Sequence, residues 1–234
     1  MMRVVVWIMY FAPIGIFVLV AARLGQAGGG DAFWGEIRAV ALHVVTVLSG
    51  LGIQFLLLSA VLLLFGKGGW GYFTDMLRAL FTAFGTASSA ATLPLTMECA
   101  RESGADPRAV RFVIPLGTTI NMNGTALYEA EAALFIAQAY GIHLNLAHQI
   151  LIFLTATLAA IGAAAIPEAG LVTLIIVLKS VGLPLEGVGL LLAVDWMLDR
   201  FRTAINVWGD AVGAAVLSRF VPGGAGCERD EEAP

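Results

Sequence analysis

Asp195, Asp199, Arg200, Arg202 and Asp210 lie inside an otherwise apolar stretch, Leu191 to Leu217, that is long enough to cross a bilayer. On insertion scales each such charge costs roughly 2.5–3.5 kcal/mol at the membrane centre. Five of them facing lipid would cost about 12–17 kcal/mol, so they must face protein, water, ions or a ligand. Steps of three and four residues put Asp195, Asp199, Arg202, Thr203, Asn206 and Asp210 along one helical face. Oxygen ligands suit a hard cation such as Na⁺, and a planar guanidinium suits a carboxylate. A helix carrying both reads as a site for an anion together with a cation.

The rest of the chain must hold this helix in a membrane. Of its 234 residues, 59% are hydrophobic and 13% charged, against about 45–50% and about 25% in soluble domains. The composition is that of a polytopic membrane protein. The net charge of −4 owes much to the hydrophilic tail Pro222–Pro234, and no basic, aromatic-interleaved patch points to nucleic acid. Cys99 and Cys227 are far apart, lack metal spacing and read as free thiols.

In chain order, Val4–Ala22 is a first span and not a signal peptide. Ile37–Phe65 is a long second span. Tyr72–Ala83 is too short to cross and runs into Phe84–Pro94, where small and hydroxyl residues followed by Pro predict a break. Val110–Tyr140 is interrupted at NMNGT, Asn121–Thr125, where an unwound turn is expected. Ile150–Leu158 and Leu171–Val181 flank a second small-residue break with Pro167, Ala159–Gly170. The last helix starts near Glu186.

Two similar units result, each a hairpin with a small-residue tip followed by a long helix carrying polar residues at mid-depth. Paired, interrupted apolar segments point to a transporter binding site, because broken backbone at membrane depth survives only where it lines protein or a cavity. The two tips, the NMNGT turn and the last helix are expected to converge. Lys67, Arg101, Arg108 and Arg111 mark one side as cytoplasmic. The hairpin tipped at Ser88–Ser89 then enters from the cytoplasm, and the one tipped at Ala163–Pro167 from outside.

TASSAATLP, GTTINMNGTALYEA, IGAAAIPEAG and AVDWMLDRFRTAINVWGDA together resemble the dicarboxylate/amino acid:cation symporter family, of the excitatory amino acid transporter and prokaryotic glutamate/aspartate symporter type. The likeness runs from Met1 to about Arg219. It implies an all-α polytopic fold: the C-terminal part of an elevator-type transporter with two re-entrant helical hairpins in inverted repeats. The family's first four membrane helices are then absent, as in a fragment, a truncated gene or a late-called start. The implied division is a scaffold-type helix in 1–35, a transport-domain core in 36–220 and a cytoplasmic tail in 221–234. Family members are homotrimeric, but most of the scaffold that makes the trimer is missing here. The implied location is the plasma or inner membrane.

The resemblance also assigns residues. Arg202 would pair with a substrate side-chain carboxylate, with an internal bridge to Asp199 or Glu129 as the structural alternative. Asp199 would hold the substrate amino group, with Asn206, Thr203 and Thr125 nearby. Ser89 in the first tip, and Ile166, Pro167 and Gly170 in the second, would supply backbone contacts. Asp210 and Asn206 with carbonyls of Gly117 and Asn121 match one Na⁺ site. Thr119, Met122, Ala160, Ile161 and Ala163 match a second. A third is weakened, because the family's NMDGT reads NMNGT and Asn123 replaces a carboxylate. Glu129 matches the glutamate that carries a co-transported H⁺. Arg200, with Ala87 at the first tip, resembles the arrangement coupled to K⁺ counter-transport. Glu131 has no place in the pattern; a lumen-facing charge and a misplaced one are both open.

The expected activity is Na⁺-coupled symport of L-glutamate or L-aspartate across a lipid membrane, with C4-dicarboxylate symport or a non-transporting remnant as alternatives. An enzyme is not expected: Ser88 has no His or Lys base in a matching span, and His43, His143 and His148 fall near span ends. Trp70, Trp196 and Trp208 read as interface or packing residues, and Asp75, Glu98 and Glu102 as solvated.

Overall fold

The computed structural model describes Ile14, Val18 and residues 31–66, 68–163 and 165–221. The expectations for Val4–Ala22 as a span, for Lys67, and for the tail with Cys227 lie outside the described residues. Within them the elements are α1 (Asp31–Phe65), α2 (Gly69–Thr86), α3 (Ser89–Glu102), α4 (Pro107–Ile120), α5 (Asn123–Ala139), α6 (Leu146–Ile161), α7 (Ala169–Ser180), a 3₁₀ turn (Leu185–Gly187) and α8 (Val188–Phe220). The described chain is all-helical, as expected.

Short polar residues start several helices by accepting otherwise orphaned N–H groups. Ser88 accepts from the Ala91 amide, Asp106 from Arg108, and Asn145 from His148. Pro107 follows Asp106 at the first helical position, where its missing N–H costs nothing. Asp106 is also gripped by the Arg108 guanidinium, which with the cap holds its carboxyl down at about 2. That cap is therefore charged at any neutral pH.

The broken segments are narrower than the sequence predicts. The first shrinks from Phe84–Pro94 to Ala87 and Ser88, because α3 continues through Pro94. A single proline removes one backbone bond, and the packing of α3 on α2, α4 and α8 outweighs it. Ala87 itself is left-handed at φ 48° and closes α2 by donating to the Ala83 carbonyl. The second break is Gly162–Glu168, not Ala159–Gly170. At NMNGT the unwinding is confined to Asn121 and Met122. α1 starts at Asp31 and not at Ile37, and α8 at Val188 after the 3₁₀ turn.

α8 is the spine. It packs against α1, α2, α3, α4, α5 and α7, and Asn206 to Val212 is buried on every side. Its N-terminal half contributes Leu191 and Leu198 to one core, with Val47, Tyr128, Ile152 and Leu174. Its C-terminal half contributes Trp208, Ala211 and Ala215 to a second, with Tyr72, Met76 and Ile114. Small residues at these contacts let backbones approach, the packing that works without water as a driving force. The Tyr72 hydroxyl, buried in the second core, donates to the Ala211 carbonyl at 2.8 Å.

Outward faces are apolar. Leu56, Leu64, Phe81, Phe153, Leu158 and Val172 are each more than 60% exposed, a surface suited to hydrocarbon and not to water. Trp34–Phe65 is long and apolar enough to cross a membrane. Asp75, Glu98 and Glu102 are exposed as expected, the last two reaching Arg78. Trp208 is buried packing, whereas Trp70 and Trp196 are half-exposed or more.

Candidate functional site

The two broken tips meet over the middle of α8. Ser88 Oγ and the Ala90 amide both donate to the Ala165 carbonyl, at 2.8 and 3.3 Å. Ser88 thus caps α3 and tethers the second tip at once. From α8, Arg200 donates through Nη1 to the Phe84 and Gly85 carbonyls at 3.1 and 2.7 Å, covering the C-terminal end of α2. The second tip is fixed by Glu168, left-handed at φ 61°, whose amide donates to Asp199 Oδ2 at 2.9 Å.

Beneath the tips is a cavity of about 20 Å³. Ser89, Thr125, Ile166, Gly170, Asp199, Thr203 and Asn206 line it, all of them sequence candidates. Pro167 stands in the same tip without lining the cavity. The space suits a group the size of a water molecule, so a larger ligand requires the tips to part.

Arg202 lies directly behind, fully buried. Its Nη2 donates to Asp199 Oδ1 at 2.9 Å and sits 3.1 Å from Asp195 Oδ1. The guanidinium carbon lies 3.9 Å from the centre of the Tyr128 ring, a cation–π contact. The ion pairs therefore go to Asp195 and Asp199, not to Glu129. Nε and Nη1 are left buried without an acceptor, which is rare for a charged donor. Gly170 packs close beside them: a Cβ there would come within 3.1 Å of Nη1. Asp195, which the sequence places on this face without a role, is Arg202's second partner.

A step along α8, Asn206 accepts from the Gly124 amide at 2.7 Å and donates to Thr125 Oγ1 at 3.2 Å. Asp210 accepts from Asn121 Nδ2 at 2.9 Å. Glycines make these contacts possible. A Cβ on Gly117 would collide with the Asp210 carboxylate, and one on Gly209 would lie 2.8 and 2.9 Å from the amide nitrogens of Asn123 and Asn121. Gly117, Asn121, Asn123, Asn206 and Asp210 are thus gathered around the unwound turn. Cavities of about 580 and about 470 Å³ flank that turn on its two sides.

The second predicted Na⁺ group is only partly assembled. Met122, Ala160 and Ala163 form a small buried cluster. Thr119 is exposed and its hydroxyl turns back to the Leu116 carbonyl, while Ile161 is also exposed and lines the larger cavity.

Glu129 is fully buried on α5. Its Oε1 accepts from Thr173 of α7, and Oε2 has no partner. Sequence reasoning missed Thr173, Tyr128 and Glu168; nothing in their local spacing connects α5, α7 and α8. It also misplaced His43, which is not at a span end: it lies inside α1, buried, paired with Glu131.

The profile of the Sodium:dicarboxylate symporter family matches residues 1–220. The chain is 48% identical over 223 residues to an excitatory amino acid transporter of Caenorhabditis elegans, covering 94% of this chain and 44% of that protein. It is 49% identical over 222 residues to human excitatory amino acid transporter 1, covering 94% and 40%. It is 48% identical over 222 residues to mouse excitatory amino acid transporter 3, covering 94% and 42%. The chain spans about two fifths of the length of these curated relatives.

Proposed function

The chain belongs to the sodium:dicarboxylate symporter family, whose members are membrane transporters and not enzymes, and from that premise we propose that it holds the substrate and cation sites of a Na⁺-coupled symporter for L-glutamate and L-aspartate. The observation that carries the reading is Arg202: a fully buried guanidinium with two unpartnered donors, packed against Gly170, which lines the cavity under the two tips. A bidentate carboxylate is the ligand that would satisfy it. Asp199 then receives the substrate amino group, displacing the Glu168 amide that now occupies it. Thr203, Asn206 and Thr125 supply polar contacts, and Ser89 with Ile166, Pro167 and Gly170 closes over the ligand.

Na⁺ is cargo in this reading. Asp210, Asn206 and carbonyls of Gly117 and Asn121 hold one ion; Thr119, Met122, Ala160, Ile161 and Ala163 hold a second, largely through main chain. Glu129 carries a co-transported H⁺, and Arg200, by holding the end of α2, takes part in K⁺ return. The helix pairs α2–α3 and α6–α7 act as re-entrant hairpins from opposite membrane faces. Residues 36–220 move as the transport unit against a scaffold to which 1–35 contributes, in the plasma or inner membrane, with trimerisation resting on that scaffold. The tail, 221–234, is cytoplasmic.

The test is equilibrium binding of L-aspartate, L-glutamate and succinate to the purified chain, in Na⁺ and in choline. Na⁺-dependent binding of the two amino acids over succinate is expected. Preference for succinate would move the assignment to C4-dicarboxylates, whose lack of an amine leaves Asp199 without a partner. No binding, even beside the N-terminal helices of a relative, would favour the non-transporting reading.

Asn123 gives a second check. Its amide packs on Gly209 next to the Asp210 group, so Asn123→Asp restores a carboxylate in the same volume. The Na⁺ concentration for half-maximal aspartate binding is expected to fall about threefold or more. An unchanged Na⁺ titration would reject a role for position 123.

A further inference from the structure

His43 on α1 and Glu131 on α5 meet inside the helix bundle, Nδ1 to Oε2, at 2.6 Å. The imidazole is fully buried and the Glu131 side chain is 18% exposed. Phe135 holds the ring at a centroid distance of 4.8 Å, and Tyr128 meets it edge-on at 6.1 Å. Both imidazole nitrogens are buried without a completed hydrogen bond, Nδ1 having this close ionic contact alone. Both residues line a cavity of about 410 Å³ that also touches Thr46 and Gln138, which gives water a route to the pair.

A hydrogen on Nδ1, the nitrogen that faces the Glu131 carboxylate, leaves the Nε2 lone pair as the proton acceptor. Uptake forms one Nε2–H bond and makes the pair imidazolium with carboxylate, net neutral. Loss of that proton to water leaves neutral imidazole beside a carboxylate, net negative. No other bond changes. In a membrane interior the uncompensated charge is the costly state. We infer that His43, held by Glu131, is a second proton-binding site of this chain, separate from Glu129 and linked to Arg202 through the Tyr128 ring.

The surroundings decide what that proton does. Glu129 is turned away towards Thr173 of α7. From α8, Arg202 stacks on the Tyr128 ring at 3.9 Å and pairs with Asp195 at 3.1 Å, while the His43 ring that faces Glu131 meets Tyr128 edge-on. From α6, Phe153 and Thr157 border the far flank of Glu131, and on α1 Glu36 and Arg38 lie one to two turns before His43. An uncompensated carboxylate behind Tyr128 competes for the Arg202 charge, and protonating the pair removes the competitor. Affinity for an acidic amino acid therefore rises when His43 takes up its proton.

Two measurements test this. In a Glu129→Gln background, which removes the other proton site, Na⁺-dependent aspartate affinity is expected to rise about fivefold between pH 8.5 and pH 6. Adding His43→Gln or Glu131→Gln should flatten that dependence; if either single variant fails to fold, the double change supplies a hydrogen-bonding pair with nothing to titrate. A flat profile before the second change, or an unchanged slope after it, overturns the link. This arm rests on the binding reading above. The other arm does not: in full-length chain labelled with ¹⁵N-histidine, a downfield Nδ1–H resonance is expected, identified by its loss in His43→Gln, absent in Glu131→Gln, and shifting reversibly with pH. A His43 signal indifferent to both pH and Glu131 would overturn the site whether or not substrate binds.

Discussion

Arg202→Ala should abolish measurable binding of glutamate and aspartate while part of the Na⁺ binding survives. Removing one partner of a desolvated charge pair costs roughly 2–5 kcal/mol, or about 30-fold to several thousand-fold in affinity. The alanine variant also leaves Asp195 and Asp199 as buried charges without their cation, so some loss of folding stability is expected with it. Arg202→Lys separates the two effects. It keeps the charge that the aspartates need but loses the planar fork, so thermal stability should stay closer to the parent while acidic substrate affinity remains low. Calorimetric binding alongside a thermal melt reads both. Full glutamate affinity in Arg202→Lys would sink the bidentate assignment.

The second large effect concerns coupling and not affinity. Glu129→Gln keeps shape and keeps an acceptor for Thr173, so the contact between α5 and α7 survives. What disappears is the ionisable oxygen. In liposomes, substrate-coupled proton uptake and K⁺-driven exchange should both be lost, while Na⁺-dependent exchange of labelled aspartate at fixed pH continues. Proton uptake that persists in step with substrate would reject Glu129 as the carrier. A pH dependence of affinity alone would not, because His43 and Glu131 supply one.

Much of this was legible in the chain because the membrane makes polar residues expensive. The Asp195–Asp210 face could be read from spacing alone, and the unwound Asn121–Met122 turn from poor helix formers in an apolar run. The breaks were harder to bound. Small residues and proline mark where a helix can end, but Pro94 is carried inside α3 by packing that no local pattern encodes. Long-range partners were illegible for the same reason. Nothing near Glu131 points to His43 on another helix, and nothing near Glu168 shows that its amide would cap Asp199. The Arg202 partner was half visible: Asp195 stands two turns away on the same face, a spacing that also fits a simple polar stripe.

The second tip is fastened to its surroundings by the Ser88 and Ala90 bonds to Ala165 and the Glu168 bond to Asp199. Each such bond contributes about 0.5–1.5 kcal/mol net, so breaking all three costs about 1.5–4.5 kcal/mol. A balance of that size leaves a form with the tip released populated at about 0.05–7%. Two of the three bonds end on a single carbonyl, that of Ala165. Movement of that one peptide group would therefore release two of the three bonds together, leaving the Glu168 bond to Asp199 as the remaining hold.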